Sequence, residues 1–350
     1  MVIIRLEKGI KAMSTIMLAI KIGSGTTTIY KQNEGFLLKE PSLVAVSGSP
    51  RGKEVIAVGL EAKRLQGKAG DDGVTSVVAP IYEGVITNSE LATEMLRQFI
   101  EKVCPKKLFK PNIRAIVCVP LGITISEKLA FEQACYHAGI SDCLLIPSVV
   151  CSAIGKGIEI GGETASMVVG IGAGCTDIAV VMQNTLVSGV NVGMGGSNID
   201  KGIEQQLLAK FNFIISDTTA EKIKKEVGSL YKNDTSEITV SGQDSITREA
   251  KQITITSGDI YPAIEHYYSK IAESIASVLS SCTPDVASDV SKAGITFVGG
   301  DSKIIGIEKY FKTKLNINAK ASEDAEDLDI LGAAELLENP EMLKRVLLNI

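Results

Sequence analysis

The sequence predicts a mixed α/β protein with a duplicated fold, because a strand–glycine turn–strand pattern occurs once in each half. The first copy runs from Met17 to Tyr30 and the second from Met167 to Val181. In each copy a β-branched apolar run enters a G-x-G turn and leaves as another strand. A single glycine turn between strands is typical of an ordinary hairpin, whereas two similar hairpins indicate an internal repeat.

Strands and helices alternate between and after the two hairpins, which favours sheets covered by helices. Apolar runs predict strands over residues 113–119, 143–146 and 295–298. Helical periodicity predicts helices over residues 127–138, 199–209, 219–228 and 261–282. The polar segment 228–256 alternates as a strand does and predicts a small inserted lobe.

Composition excludes several classes of function. The 350 residues are enough for two domains, and the net charge of -5 removes a general electrostatic case for nucleic acid. The seven cysteines form no C-x-x-C pair and the two histidines have no metal-ligand spacing, so we expect reduced thiols, no metal site and no histidine-based triad. No apolar run approaches the roughly 20 residues of a transmembrane helix, and no signal peptide is recognisable, so a cytoplasmic location is expected.

The glycine turns predict a nucleotide site. Tight turns with free backbone N–H groups form concave anion sites, and two of them could clamp a polyphosphate between two domains, with threonine hydroxyls as further donors. No Walker-A loop is present, and no G-x-G-x-x-G joins a strand to a helix, so the P-loop and Rossmann interpretations fail. The candidate residues are Gly23, Ser24, Gly25, Thr26, Thr27, Gly172, Ala173, Gly174, Cys175, Thr176, Gly299, Gly300 and Asp301.

At these residues the sequence resembles the MreB family of bacterial actin homologues, and the match runs nearly end to end. The family pattern D-L-G-T-A-N-T-L-I-Y is similar to K-I-G-S-G-T-T-T-I-Y at residues 21–30. Colinear matches to further family motifs follow at residues 39–45, 58–64, 82–86, 117–124, 220–229 and 284–290.

The resemblance implies an actin-like fold of two RNase H-like domains, each with an inserted smaller subdomain, and ATP in the cleft between them. It places the first domain at 15–157, with an insertion at about 47–90, and the second at 158–345, with an insertion at about 197–256. It further implies head-to-tail protofilaments, since a heterologous contact that does not close gives fibres. Glu221 and Lys224 match the family's adenosine-contacting helix.

The residues that the family uses for ATP hydrolysis are replaced in this chain. Both phosphate turns should open with Asp, but the first has Lys21 and the second has Gly170. Ser148 stands where the family has the Glu that aligns water, and Cys175 replaces a Thr. Hydrolysis needs a carboxylate-held cation and a positioned water, so we expect ATP binding with little hydrolysis and weak or no Mg²⁺ dependence. The alternative is that Asp177 or Asp301 reaches the metal instead.

Two lysines have alternative interpretations. Lys21 is either a solvated side chain at a strand end, or its ammonium compensates the β- and γ-phosphates or stabilises an empty cleft. Glu221 and Lys224, three residues apart on one helix face, either contact adenosine or form an ordinary surface ion pair.

Two segments are candidates for membrane contact. Leu108 and Phe109 lie between lysines in the segment 106–110, where the resemblance puts the family's membrane-inserting loop. The alternative is that the Leu-Phe pair packs into its own subdomain. At the N-terminus an apolar stripe of Ile3, Leu6, Ile10 and Met13 is either a membrane anchor or a leader.

The leading hypothesis is a filament-forming cytoskeletal protein that governs cell shape or helicity. Its expected partners are further copies of itself, sibling MreB-like proteins and the inner face of the cell membrane. Two alternatives remain: an active ATPase of the MreB type or a sugar kinase of the same superfamily, and a nucleotide-binding accessory subunit that does not polymerise.

Overall fold

The computed structural model describes residues 15–49, 52–67, 74–105 and 111–349. The chain divides into two compact units, of which the first comprises residues 1–161, 183–186 and 327–350. The second unit comprises residues 162–182 and 187–326. The predicted domain boundary near residue 157 lies close to this division, but the C-terminal segment belongs to the first unit, whereas the sequence placed it in the second.

The first unit contains a large and a small sheet with a two-stranded ribbon. Its strands are β1 (Thr15–Ile22), β2 (Thr26–Lys31), β3 (Gly35–Pro41), β4 (Val44–Ser49), β5 (Gly52–Val58), β6 (Val74–Val78), β7 (Ile81–Tyr82), β8 (Val85–Ile86), β9 (Asn112–Val119) and β10 (Asp142–Pro147). The large sheet has the order β10-β9-β1-β2-β3 and the small one the order β5-β4-β6. The helices before the second unit are α1 (Leu60–Arg64), α2 (Ser89–Val103), α3 (Ile125–His137) and α4 (Ser148–Gly155).

The second unit repeats this plan. Its strands are β11 (Ser166–Ile171), β12 (Thr176–Met182), β13 (Thr185–Val192), β14 (Phe213–Ile214), β15 (Glu237–Asp244), β16 (Ala250–Thr256), β17 (Ile295–Val298) and β18 (Ala319–Ala321). Its helices are α5 (Gly196–Phe211), α6 (Asp217–Val227), α7 (Ser257–Ser281), α8 (Pro284–Ala293), α9 (Ile307–Leu315) and a 3-10 turn at Gly300–Lys303. The large sheet has the order β13-β12-β11-β17-β18, and β14-β15-β16 form the small sheet.

The two large sheets share one topology, which confirms the predicted duplication. β1 pairs antiparallel with β2 and parallel with β9. β11 likewise pairs antiparallel with β12 and parallel with β17. Each glycine turn therefore joins the central strand of its own large sheet to the neighbouring antiparallel strand. Each large sheet has its own apolar core, built from the strand faces and the helices that cover them.

The C-terminal helices α10 (Leu328–Glu338) and α11 (Pro340–Asn349) return to the first unit. Helix α10 packs against α4, and two glycines make their close approach possible. A Cβ on Gly332 would clash with the carbonyl oxygen of Cys151, and one on Gly155 would clash with the carbonyl of Leu328. This packing explains why the chain after residue 326 belongs to the first unit.

Two predicted membrane segments lie outside the described residues: the N-terminal stripe, within residues 1–14, and Leu108 with Phe109 in residues 106–110. In the part of the chain that is described, no helix has both the length and the apolar character needed to cross a bilayer.

Candidate functional site

The first glycine turn joins β1 to β2 and is closed by backbone contacts. The amide of Gly23 donates to the carbonyl oxygen of Thr26 at 3.1 Å, and a Cβ on Gly23 would lie 2.8 Å from that oxygen. The carbonyl of Gly25 accepts from the amide of Ser42 at 3.1 Å. The turn is therefore tight at Gly23, as the glycine pattern predicts.

The hydroxyl groups of this turn differ in their surroundings. The hydroxyl of Thr27 is fully buried and lies 2.9 Å from the hydroxyl of Ser42. The Ser24 hydroxyl accepts from the amide of Gly84 at 2.9 Å. Thr26 is exposed. Of the two threonines proposed as ligands here, Thr26 is therefore the one at the surface, while Thr27 joins the turn to the segment after β3.

Lys21, at the end of β1, forms an ion pair that the sequence did not predict. Its ammonium lies 2.6 Å from Oδ2 of Asp329, and the Lys21 and Asp329 side chains are 25% and 7% exposed. The Lys21 stem passes beside the first turn, with Cε 3.6 Å from where a Cβ of Gly23 would stand. The interpretation of Lys21 as a solvated side chain is therefore wrong. Its role toward phosphate stays a prediction.

Asp329 is held in place from three sides. Its Oδ1 accepts from the amide of Ile330 at 2.8 Å, and its carbonyl accepts from the thiol of Cys118 at 3.6 Å. Burial lowers the pKa of Lys21, but the charge of Asp329 and its hydrogen bond raise it, and the net direction is upward. The lysine is therefore charged at neutral pH, and its charge is matched by a carboxylate of the same unit.

The second glycine turn joins β11 to β12 and packs against the start of α5. The amide of Gly172 donates to the carbonyl of Cys175 at 2.9 Å. The first amides of α5, those of Gly196 and Ser197, donate to the carbonyls of Gly172 and Ala173 at 2.9 and 2.8 Å. The helix start is thus fixed on the turn by its own orphan N–H groups.

The third glycine pair lies beside the same turn. Gly299 has φ +88, and a Cβ there would clash with the backbone of Ile171, the last residue of β11. At Gly300 a Cβ would meet only Cγ of Glu326, at 3.6 Å. The Thr176 side chain is fully buried, and its hydroxyl donates to the carbonyl of Met194 at 2.8 Å. The structure therefore brings together the predicted site residues at 172–176 and 299–301.

Lys224, on α6, is a buried side chain that contacts Asp301 of the predicted site. Its side chain is 7% exposed, and its ammonium lies 2.7 Å from Oδ1 of Asp301 and 3.0 Å from Oδ1 of Asp200. The ammonium also donates to the carbonyl of Gly196 at 3.0 Å. A surface ion pair involving Lys224 is therefore the wrong interpretation. Glu221, one turn earlier, pairs with Lys225 at 2.6 Å.

Two carboxyl groups on α5 have raised pKa values. Burial raises the pKa of Asp200 to about 6, although the charge of Lys224 lowers it. Burial and the neighbouring Asp217 raise the pKa of Glu204 on α5 to about 7. Asp301 is one of the two alternative metal ligands in the sequence analysis, and its Oδ1 forms the ion pair with Lys224. Within the described residues, no group of three or more His, Cys, Asp or Glu is placed to hold a metal ion.

Two of the other replaced positions, Ser148 and Gly170, lie at the start of α4 and on β11. Ser148 begins α4, and its carbonyl accepts from the hydroxyl of Ser152 at 2.9 Å. Gly170 lies on β11 opposite Asp177, and a Cβ there would meet Cγ2 of Val298 at an ordinary 3.5 Å. A Cβ is therefore accommodated at position 170, and a glycine is not required there by the backbone.

Comparison with known proteins agrees with these observations. A family described as MreB/Mbl protein matches residues 15–345. The chain belongs to the MreB/Mbl family. It is 32% identical over 340 residues to the cell shape-determining protein MreB of Escherichia coli strain K12, covering 96% of this chain and 97% of that protein.

Solved structures of this and related families show the same fold. MreB5 of Spiroplasma citri bound to AMPPNP superposes with a TM-score of 0.86 at 25% identity, over 97% of this chain and 100% of that one. A chain of the MamK double helical filament gives a TM-score of 0.78 at 19% identity, over 93% of this chain and 99% of that one. The fold is therefore actin-like, as the MreB resemblance implied.

Sequence reasoning on this MreB-family chain missed Asp200 and Asp329. Asp329 lies in the apolar run L-D-I-L-G, where an acidic residue needs a cationic or hydrogen-bonding partner once it is buried. The sequence indicates that Asp329 needs a partner, but it does not indicate which residue that is, because Lys21 lies at the other end of the chain. Asp200 stands on the amphipathic helix α5 and gave no such signal.

Proposed function

We propose that this chain assembles head to tail into filaments that govern cell shape or helicity, and that it binds ATP with little or no hydrolysis. Membership of the MreB/Mbl family and likeness to a cell shape-determining MreB support the first part. The MreB5 relative was solved with AMPPNP, which supports a nucleotide as ligand.

The observation that carries the second part is the ion pair between Lys21 and Asp329 at the first glycine turn. A cation stands where the family pattern has the Asp that organises Mg²⁺, and its neighbouring carboxylate is already engaged. Ser148 stands where the family has the Glu that aligns water, and Gly170 stands where it has the second Asp that organises the metal ion. Neither residue carries a carboxylate. Loss of one such group typically costs 10²–10³ in rate, roughly 2.7–4 kcal/mol, so their joint loss favours slow or absent turnover.

The residues present fit a nucleotide better than they fit a metal ion. Gly172 and Gly174 lie in a turn of small residues, and a Cβ at Gly300 would make only one ordinary contact, at 3.6 Å from Cγ of Glu326. ATP in this fold would supply a polyphosphate for the turns and an adenosine for the segment around Gly300. In the proposed binding mode Lys21 contributes charge compensation to the phosphates, while Lys224 holds the local backbone through Gly196 and Asp301.

The magnesium dependence of binding tests the ligand part of this proposal. Calorimetry with a non-hydrolysable ATP analogue, in excess Mg²⁺ and in EDTA, should give similar affinities. Strict dependence on Mg²⁺ would overturn it, as would a Lys21→Asp variant that binds more tightly in metal-free buffer.

Polymerisation is tested by sedimentation and negative-stain microscopy with and without nucleotide. Filaments in either condition support the cytoskeletal function. A protein that binds nucleotide but stays monomeric at high concentration would instead be the accessory subunit. The proposed location is the cytoplasm at the inner face of the cell membrane, with sibling MreB-like proteins as further partners.

A further inference from the structure

The first glycine turn contains a cation whose charge is already neutralised within the chain. Lys21 and Asp329 form a close pair, and the aspartate is anchored at the start of α10 by the amide of Ile330. The Lys21 side chain remains 25% exposed, so part of it is accessible from outside the turn. An ammonium has three donors, and the contact with Oδ2 of Asp329 uses one of them.

We propose that Asp329 is an internal counter-ion that competes with polyphosphate for the Lys21 ammonium and so limits the affinity of this turn for anions. The inference rests on the proposed function, because it assumes that the phosphates bind at the turn beside Lys21. Asp329 is a positioning residue here: it touches the lysine, and it acts on the ligand through the lysine and through its own negative charge.

Competition follows from charge and burial. A buried carboxylate next to the ammonium repels an approaching phosphate and shares the cation that would attract it, and both effects are strong where water is largely excluded. Helix α10, which carries Asp329, packs closely against α4 at Gly332. As long as the counter-ion stays beside Lys21, it keeps the affinity of the turn for polyphosphate low.

The test is calorimetry in EDTA on wild type and Asp329→Asn, with ATP, inorganic tripolyphosphate and adenosine as separate ligands. Asp329→Asn should bind ATP and tripolyphosphate about tenfold more tightly than wild type, and adenosine equally well. A Lys21→Met/Asp329→Asn double variant should lose the gain.

The chain offers a matched control on the same helix start. Asp327 pairs with Lys39 at 2.8 Å, both side chains being about one-third exposed or more. Asp327→Asn removes a charge from the same segment that acts on Lys21 only through space and more weakly than Asp329, so it should change the ATP and tripolyphosphate affinities much less than Asp329→Asn does. If Asp329→Asn folds poorly, tripolyphosphate should raise its melting temperature more than it raises that of wild type.

The outcomes separate this inference from the proposed function. If wild type binds ATP and Asp329→Asn binds it no better, or if the double variant keeps the gain, the inference is overturned and nucleotide binding stands. If only Asp329→Asn binds, the inference is supported and ATP binding by the natural protein is overturned. If neither binds, both are overturned.

Discussion

The ammonium of Lys224 lies 2.7 Å from Oδ1 of Asp301, in the interior of the second unit. Oδ1 of Asp200 lies 3.0 Å from the same ammonium, so one buried cation forms ion pairs with two carboxylates. Burial lowers the pKa of Lys224, but the charges of Asp301 and Asp200 raise it, with a net upward direction. The lysine therefore ties α5, α6 and the 3-10 turn after β17 together as a charged group.

Lys224→Met should lower the free energy of unfolding by roughly 3–5 kcal/mol, because it leaves two buried carboxylates without their counter-ion. The control is Lys225→Met, one residue further along α6. Lys225 is 68% exposed and pairs with Glu221, so its loss should cost about 0–1 kcal/mol. Urea unfolding of both variants measures the difference. Equal losses would contradict the buried pairing.

Stability should fall with rising pH through the carboxyl group of Glu204. Its pKa rises from 4.5 to about 7 on folding, through burial first, then Asp217 and Asp200, against an opposing effect of Lys201. The folded protein therefore holds a proton that the unfolded chain releases, so the contribution of this group is fully present below about pH 4.5 and is lost as pH rises toward 7.

Glu204→Gln removes this titration, so the variant should gain stability relative to wild type between about pH 4.5 and 7. Urea unfolding across that range measures the gain. Glu226→Gln is the control, since Glu226 lies on the neighbouring helix α6, half exposed and 3.9 Å from Lys222. A difference between wild type and Glu204→Gln that does not change with pH would contradict the assignment.

Gly332 allows α10 to approach α4, and this contact positions Asp329. Gly332→Ala places a methyl group against the carbonyl of Cys151, and overpacking of this kind costs typically 1–3 kcal/mol. Gly258→Ala is the matched helical control, because its Cβ would meet only Oγ1 of Thr256 at 3.8 Å. Thermal unfolding should show a loss for Gly332→Ala and no loss for Gly258→Ala. Equal melting temperatures would mean that the helix crossing is looser than the structure shows.

The sequence predicted the local elements of this fold well, because their signals are local. The two glycine hairpins, the strand at 295–298 and the helix around 261–282 all follow from apolar periodicity and turn residues. The return of α10 to the first unit did not follow, since the glycine contact that fixes it joins two helices far apart in the chain.

The same distinction holds within the candidate site. The glycine turns could be predicted directly, because glycine permits a tight turn at the position where it stands. The partners of Lys21 and Lys224 could not be read, because ion pairs depend on which helix faces which strand. The sequence predicts a surface or ligand-facing role for each lysine, whereas each is paired with a carboxylate of its own unit.

The membrane hypothesis concerns Leu108 and Phe109, in a segment outside the described residues. Replacing both with Ser should abolish co-sedimentation with anionic liposomes and leave polymerisation intact, because the apolar anchors are lost while the flanking lysines remain. If lipid binding survives, the loop hypothesis fails and the stripe of Ile3, Leu6, Ile10 and Met13 becomes the candidate.

Phosphate release during polymerisation tests the central claim most directly. A quadruple variant, Lys21→Asp, Gly170→Asp, Ser148→Glu and Cys175→Thr, restores the family's pattern and should recover some turnover, whereas Ser148→Glu alone should recover little. The quadruple variant is also made in an Asp329→Asn background, so that the new carboxylate at position 21 does not face the carboxylate of Asp329. We predict that the unmodified protein forms filaments with phosphate release near background. Release from the unmodified protein at rates similar to those of a hydrolysing MreB, measured alongside, would contradict the account and show that another group performs the lost roles.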